Sequence, residues 1–192
     1  MSIAALVVSL PERRGLLYEA IESISDQTRQ PDHLLIGVDY AHVGEVANQN
    51  RLITAALESG ADWLAFLHDD DLWLPDHLAA AEKHFDTADV IVSRVTTIGR
   101  PQSTLEPQHD DFGDLLYTNW FPPSAVVVRA ETFGRWTDGE APAEHPQLHS
   151  RTPWIDWTNW RRLYTSGARM VHTNQATCLY RFGDWDNGSW RS

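Results

Sequence analysis

Residues 3–39 read IAALVVSLPERRGLLYEAIESISDQTRQPDHLLIGVD. Ile3 to Leu10 is a nearly continuous apolar run, the pattern of a strand buried on both faces. From Arg14 to Gln27 the apolar residues Leu16, Leu17, Ala20, Ile21 and Ile24 form one stripe of an amphipathic helix. His33 to Asp39 is a second short apolar strand that ends on a carboxylate. Two buried strands joined by a helix form a crossover unit, the building block of a parallel sheet.

The same alternation continues outward. Val46 to Leu57 reads as a helix, with Gly60 placed to stop it. Asp62 to Leu67 is a third strand, Pro75 fits the first position of a helix running through Phe85, and Ala88 to Ser93 is a fourth strand. This order predicts an α/β fold with a mostly parallel central sheet. After Val95 the regularity fails. Thr97 to Asp114 and Asp138 to Pro153 are polar, turn-rich loops, and Ser124 to Arg129 is a clear strand between them. Trp154 to Thr165 reads as a helix, followed by strands near Ala168 to Thr173 and Thr177 to Phe182. The result is a regular front half and a mixed, loop-rich back half, with no internal repeat.

A chain of 192 residues makes one domain with a sizeable core, and 42% hydrophobic residues with nine tryptophans fit a folded globule. The formal net charge of −12 leaves no basic face for nucleic acid or an anionic membrane. It also means that a phosphate ester would be repelled unless a divalent cation mediates. The single cysteine, Cys178, cannot form an internal disulfide. No apolar run reaches the ~20 residues that span a bilayer, and the N-terminus has no basic region of a signal peptide. A cytoplasmic location is the expectation.

Open parallel sheets bind ligands at the carboxyl ends of their strands. Pro11-Glu12-Arg13, Asp39 and His68-Asp69-Asp70-Asp71 fall there. The last group sits in FLHDDDLWLP, residues 66–75, where three successive carboxylates crowd one turn. Like charges at contact repel by roughly 1 kcal/mol per pair in water and several times more near a protein surface. Either the turn is a solvated helix start, where acids are favoured, or a cation belongs among them. Asp156 lies among Trp154, Trp157 and Trp160. It is either an ordinary helix acid beside core indoles or a carboxylate in an aromatic, sugar-stacking pocket, raised toward the range of a general base. Trp63 and Trp136 read as core; Trp73, Trp120 and Trp185 lie nearer loop edges and are candidates for sugar contact, as are Trp154 and Trp157. His145 and His149 sit in an irregular loop and read as solvated, and Cys178 lies inside a strand, a poor place for a nucleophile.

FLHDDDLWLPDHL resembles the "LDxDDxWxP" segment of family 2 glycosyltransferases, whose nucleotide-sugar-binding fold is GT-A. ALVVSLPERRGLLYEAIESISDQTRQPDHLLIGVD is similar to that family's first strand, helix and second strand, and ANQNRLITAALESGADWLAFL to its "ARNxGIxxAxGxYIxFL" segment. WIDWTNWRRLYTSGARMVH resembles "EDWDLWLRLxxxGxxxV", and CLYRFGDWDNGS the closing "YRxHxxNxS". The segments run in order along most of the chain, with a gap over roughly Val95 to Pro153. The resemblance implies a GT-A domain, a Rossmann-like α/β/α sandwich. Residues 1–95 would bind the nucleotide sugar, and 96–192 would hold the acceptor and the catalytic base. It implies a metal-dependent, inverting, hexosyltransferase-type enzyme with Mg²⁺ or Mn²⁺ in a DXD-type turn. The donor would be a UDP-sugar first, with GDP- and dTDP-sugars as alternatives, and the acceptor an unidentified hydroxyl. Asp156 matches the catalytic base, and Asp70, with Asp71 beside it, matches the metal-binding turn. Pro11, Glu12, Arg13, Asp39, Asn50, Asp69, Arg162 and Arg181 match positions around the donor nucleotide.

The sequence departs from the pattern at several points. His68 stands where the family has the first Asp of its turn, which would move ribose or metal contacts to Asp69. Ile155 replaces the Glu of "ED", Gln49 the Arg of "ARN", and Tyr40-Ala41 the usual "DGS"; the closing His is missing, with Asp184 or Asp186 the nearby oxygens. Two other classes therefore stay open: a sugar-nucleotide- or carbohydrate-binding module without catalysis, and a sugar-phosphate nucleotidyltransferase.

Overall fold

A computed structural model describes residues 1–98, 111–136 and 155–181. In chain order the elements are β1 (Ile3–Ser9), α1 (Arg14–Ser25), β2 (His33–Val38), α2 (Glu45–Glu58), β3 (Trp63–His68) and β4 (Leu72–Trp73). Then follow α3 (His77–Glu82), β5 (Val90–Ile98), β6 (Val126–Arg129), α4 (Ala130–Phe133), α5 (Ile155–Thr165) and β7 (Met170–Arg181). The expected loop from Asp138 to Pro153, most of that from Thr97 to Asp114, and Trp154, Trp185, His145, His149, Asp184 and Asp186 lie outside the described residues.

The strands form one sheet in the order β2-β1-β3-β6-β5-β7-β4. Its centre explains the unbroken apolar runs. In β1 every residue is buried; Ala4, Leu6 and Val8 face one core, and Ile3, Ala5 and Val7 the other. Phe66 and Leu64 of β3 join the first core, which α2 closes with Leu52, Ile53 and Ala56, and α5 with Trp160 and Leu163. Trp63, Ala65 and Leu67 join the second, beneath Leu17, Ala20 and Ile24 of α1 and Leu78 and Ala81 of α3. Burying a large apolar side chain fully contributes about 1.5–3 kcal/mol, so neither layer is dispensable. Trp63 and Trp136 are core, as their sequence context predicts. The α2 helix approaches β2 closely because Gly37 has no side chain: a Cβ there would meet Asn48 Oδ1 at 2.7 Å. Asn48 instead donates to the Gly37 carbonyl at 2.8 Å.

The fold class is as expected, an α/β sandwich with a mostly parallel sheet, but three details differ. β6 inserts antiparallel between β3 and β5, so the strand expected at Ala88 to Ser93 does not pair with β3. Its Val126–Val128 run is buried on both faces, as an interior position requires. The two strands expected after Ala168 are one, β7, which runs parallel to β5 with register shifts around Arg94 and with Asn174 at φ 57°. Finally, Leu72 and Trp73 form a short strand paired antiparallel with Leu179 and Cys178 of β7, which delays the following helix to His77.

Candidate active site

The parallel register of β1, β2 and β3 brings their carboxyl ends together. Ser9 sits beside Val38 across one ladder, and Val8 beside His68 across the other. The Pro11–Arg13 turn, Asp39 and the acid turn therefore share one edge of the sheet, and Arg181, at the end of β7, joins them.

The three carboxylates have different surroundings. Asp69 is buried; Ser9 Oγ donates to its Oδ2 at 2.5 Å, and Arg13 lies 3.1 Å from its Oδ1. Asp70 is the most open of the three and receives the other side of the same guanidinium nitrogen at 2.5 Å. Asp71 is fully buried, accepting from Ser124 Oγ at 2.6 Å and from the Arg181 N–H at 3.0 Å. Arg181 Nε donates to the Asp70 carbonyl at 2.8 Å, and its guanidinium pairs with Glu19 at 2.6 Å. The crowding is thus relieved within the protein, by the Arg13 guanidinium at Asp69 and Asp70 and by Ser124 and the Arg181 backbone N–H at Asp71. Burial still dominates the titration of the two inner acids. It pushes Asp69 up to about 6 against the Ser9 hydrogen bond and Arg13. It raises Asp71 too, helped by the neighbouring Asp70 charge.

His68 adds a further cation. Its Nε2 lies 3.1 Å from Glu45 Oε1 in the first turn of α2. Burial alone would lower the imidazole pKa, but Glu45 outweighs it and the ring is pushed up to about 10. Glu45 also engages Gln49, which in turn accepts from the Trp136 indole N–H at 3.2 Å. Glu45 has no signal in the sequence, where the helix reads as starting one residue later. Ser124, the buried partner of Asp71, likewise looked like an ordinary strand residue.

His68, Asp70 and Asp71 offer donor atoms within 4.8 Å of one another. Carboxylate oxygens with one imidazole form a donor set that could hold a divalent metal ion. The residues present fit such an ion, with Asp70 as the open arm. Ligation by His68 requires its ring to be neutral, so a bound ion competes with the Glu45 pair.

Asp156 opens α5. Its Oδ1 accepts from the Trp157 N–H at 2.8 Å and its Oδ2 from Asn119 Nδ2 at 2.8 Å. Burial raises its pKa, those two donors oppose the rise, and the charges of Glu45 and His68 reach it as well. The acid of the back half thus shares an electrostatic neighbourhood with the acid turn of the front half.

The fold has solved counterparts. The crystal structure of S. aureus TarS residues 1–349 in complex with UDP-GlcNAc matches with TM-score 0.67 at 12% identity, covering 96% of this chain and 59% of that one. The same TarS segment in complex with UDP matches with TM-score 0.65 at 14% identity, covering 97% of this chain and 62% of that one. This chain has a GT-A-like α/β fold. It spans less than two thirds of either TarS chain. No protein-family model and no curated protein matches the sequence.

Within the GT-A-like fold, Pro11 and the exposed Glu12 flank Arg13 at the shared edge. Asp39 is buried there, with its oxygens accepting from the Val43 and Gly44 N–H groups at 2.9 Å each. Burial would raise its pKa; these two donors prevail and hold it below the ordinary carboxylate value. Other candidates are used for architecture. The Asn50 amide donates to the Trp136 carbonyl at 3.0 Å and accepts from the Trp136 N–H at 2.8 Å, clamping that segment to α2. Arg162 donates to the Phe133 and Arg135 carbonyls at 2.8 and 3.1 Å and lies over the Phe133 ring. Trp73 and Trp157 are 3% and 2% exposed, so neither offers a face to a sugar. Trp73 stacks on His77 and donates to the Ser124 carbonyl at 2.7 Å, whereas Trp157 donates to the Leu115 carbonyl at 2.6 Å. Trp120 remains half-buried against Phe112, Phe121 and His172, next to Asn119.

Proposed function

We propose that this chain is a metal-dependent, inverting glycosyltransferase domain that moves a sugar from a UDP-sugar to an acceptor hydroxyl. The observation that carries the reading is the pairing of the acid turn with the half-buried Asp156 on a GT-A-like fold. The solved TarS structures that share this fold hold UDP-GlcNAc and UDP, which supports a UDP-sugar as donor. In this reading residues 1–95 bind the donor, with Asp39 accepting from the base and Arg13 and Arg181 drawing the diphosphate toward the edge of an otherwise acidic protein. Mg²⁺ or Mn²⁺ held by Asp70 with Asp71 and His68 would supply charge neutralisation for the diphosphate.

Asp156 accepts the proton of the acceptor hydroxyl as that oxygen bonds to the anomeric carbon. The bond from that carbon to the donor phosphate oxygen breaks, and its electron pair leaves with UDP. A single displacement of this kind inverts the anomeric centre. A carboxylate whose burial raises its pKa is suited to the task, because proton transfer is most effective when the base pKa approaches the working pH.

Calorimetric titration of UDP into the chain, with Mn²⁺ and with chelator, tests the reading. Binding that requires Mn²⁺ and disappears in Asp70→Ala is the expected result. Failure of UDP, GDP and dTDP alike to bind in the presence of Mn²⁺ would overturn it.

A further inference from the structure

Asn119 lies in the segment between the Phe112–Leu116 turn and the Pro123–Ala125 turn that leads into β6, a region where the sequence carries no recognisable pattern. Its side chain nevertheless reaches the one acid of α5. Nδ2 donates to Asp156 Oδ2 at 2.8 Å, while the other carboxylate oxygen is taken by the Trp157 N–H. An ionised carboxylate only accepts hydrogen bonds, so the carboxylate fixes which end of the amide faces it. Asn119 Oδ1 is then left buried, with no donor among the described residues. A buried amide oxygen without a donor is costly, and a residue chosen only for packing would avoid it.

We propose that Asn119 is a positioning residue for Asp156: its amide N–H holds one carboxylate oxygen while the Trp157 N–H holds the other. The inference rests on the glycosyltransferase reading, in which Asp156 is the base. With Asn119 and the Trp157 N–H each holding one oxygen, the carboxylate cannot rotate, and its remaining lone pairs keep one direction. The donated hydrogen bond also favours the ionised form against burial. Among the described residues, the charges acting on Asp156 from packed elements are Glu45 of α2, which raises its pKa, and His68 of β3, which lowers it. Neither touches Asn119, so replacing Asn119 isolates its own effect.

The test is a carboxyl-carbon NMR titration of the chain labelled at aspartate, with the Asp156 signal assigned by its loss in Asp156→Asn. In Asn119→Ala the Asp156 midpoint should rise by about one pH unit, and in Asn119→Gln, which keeps the amide, it should move back toward the wild-type value. Should Asn119→Ala lose its fold, Asn119→Ser carries the comparison. Turnover of the donor should show its acid limb displaced by the same amount, with kcat reduced about tenfold or more and donor KM unchanged. An Asp156 midpoint that does not respond to Asn119→Ala overturns the positioning role, and so does a shifted midpoint with an unshifted acid limb. The titration needs neither donor nor acceptor. Full turnover in Asp156→Asn would therefore sink the base assignment separately, without altering what the titration says about Asn119.

Discussion

A single guanidinium nitrogen of Arg13 lies 3.1 Å from Asp69 and 2.5 Å from Asp70, bridging two consecutive carboxylates from the turn that follows the neighbouring strand. The bridge is mostly out of water, since the arginine side chain is 11% exposed and that of Asp69 2%. Burial works against the Arg13 charge, but Asp70 and Asp69 outweigh it and raise the guanidinium pKa above its already high value. The bridge explains how so much negative charge is tolerated before any ligand arrives.

Arg13→Ala removes that internal cation and leaves Asp69 buried without it. The variant should be less stable by about 1–3 kcal/mol in chelator at low salt. Added Mn²⁺ should raise its melting temperature more than it raises that of the wild type, because the ion takes over the neutralisation. Thermal melts of both proteins with and without Mn²⁺ decide this. Identical melting temperatures in chelator would show that the arginine contributes nothing to the turn.

Asp156→Asn preserves shape and one acceptor oxygen, replaces the other with an NH2, and cannot take a proton. General-base assistance contributes typically 10²–10⁴-fold, so transfer should fall by about that factor while UDP affinity, measured by calorimetry, stays within about twofold. Turnover that survives the substitution removes Asp156 from the chemistry.

His77 is buried in α3, stacked on Trp73 and 3.0 Å from Thr177 Oγ1, and burial pushes its pKa down to about 3. The folded chain therefore binds fewer protons at this site than the unfolded chain, whose histidine titrates near 6.5. Stability from this group is fully present above about pH 6.5 and is lost as pH falls toward 3, by about 1.4 kcal/mol per unit. His77→Phe keeps the stacking and abolishes the titration. Between pH 7 and 4.5 the wild type should lose about 2–3 kcal/mol more than the variant, read from urea midpoints at the two pH values. Parallel loss in both proteins would mean that His77 is charged inside the fold.

The front half of the molecule was legible because its signals are local. A strand buried on both faces must be apolar at every position, so IAALVVS and DWLAFL announce central strands. The rule that ligands meet the carboxyl ends of parallel strands then places Arg13, Asp39 and the acid turn on one edge. Contacts between distant residues were not legible. Asn50 and Arg162 look like polar residues awaiting a ligand, yet they bind the backbone at Trp136 and at Phe133 and Arg135, partners that no spacing reveals. Trp73 looks like a loop-edge aromatic, but Leu72 and Trp73 pair with β7 and draw the indole inside.

By itself the sequence determined the alternation of buried strands and amphipathic helices, and with it the α/β class and the edge where charged groups gather. Side-chain periodicity and turn chemistry act over a few residues, and the amino-acid order records them directly. Tertiary structure alone decided that β6 enters the sheet antiparallel and that Arg13 bridges Asp69 and Asp70. It also decided that Glu45 holds His68 and that Asn119 meets Asp156. Each of these depends on which distant groups exclude water together, and a buried charge or amide finds its partner only when the chain has closed around it.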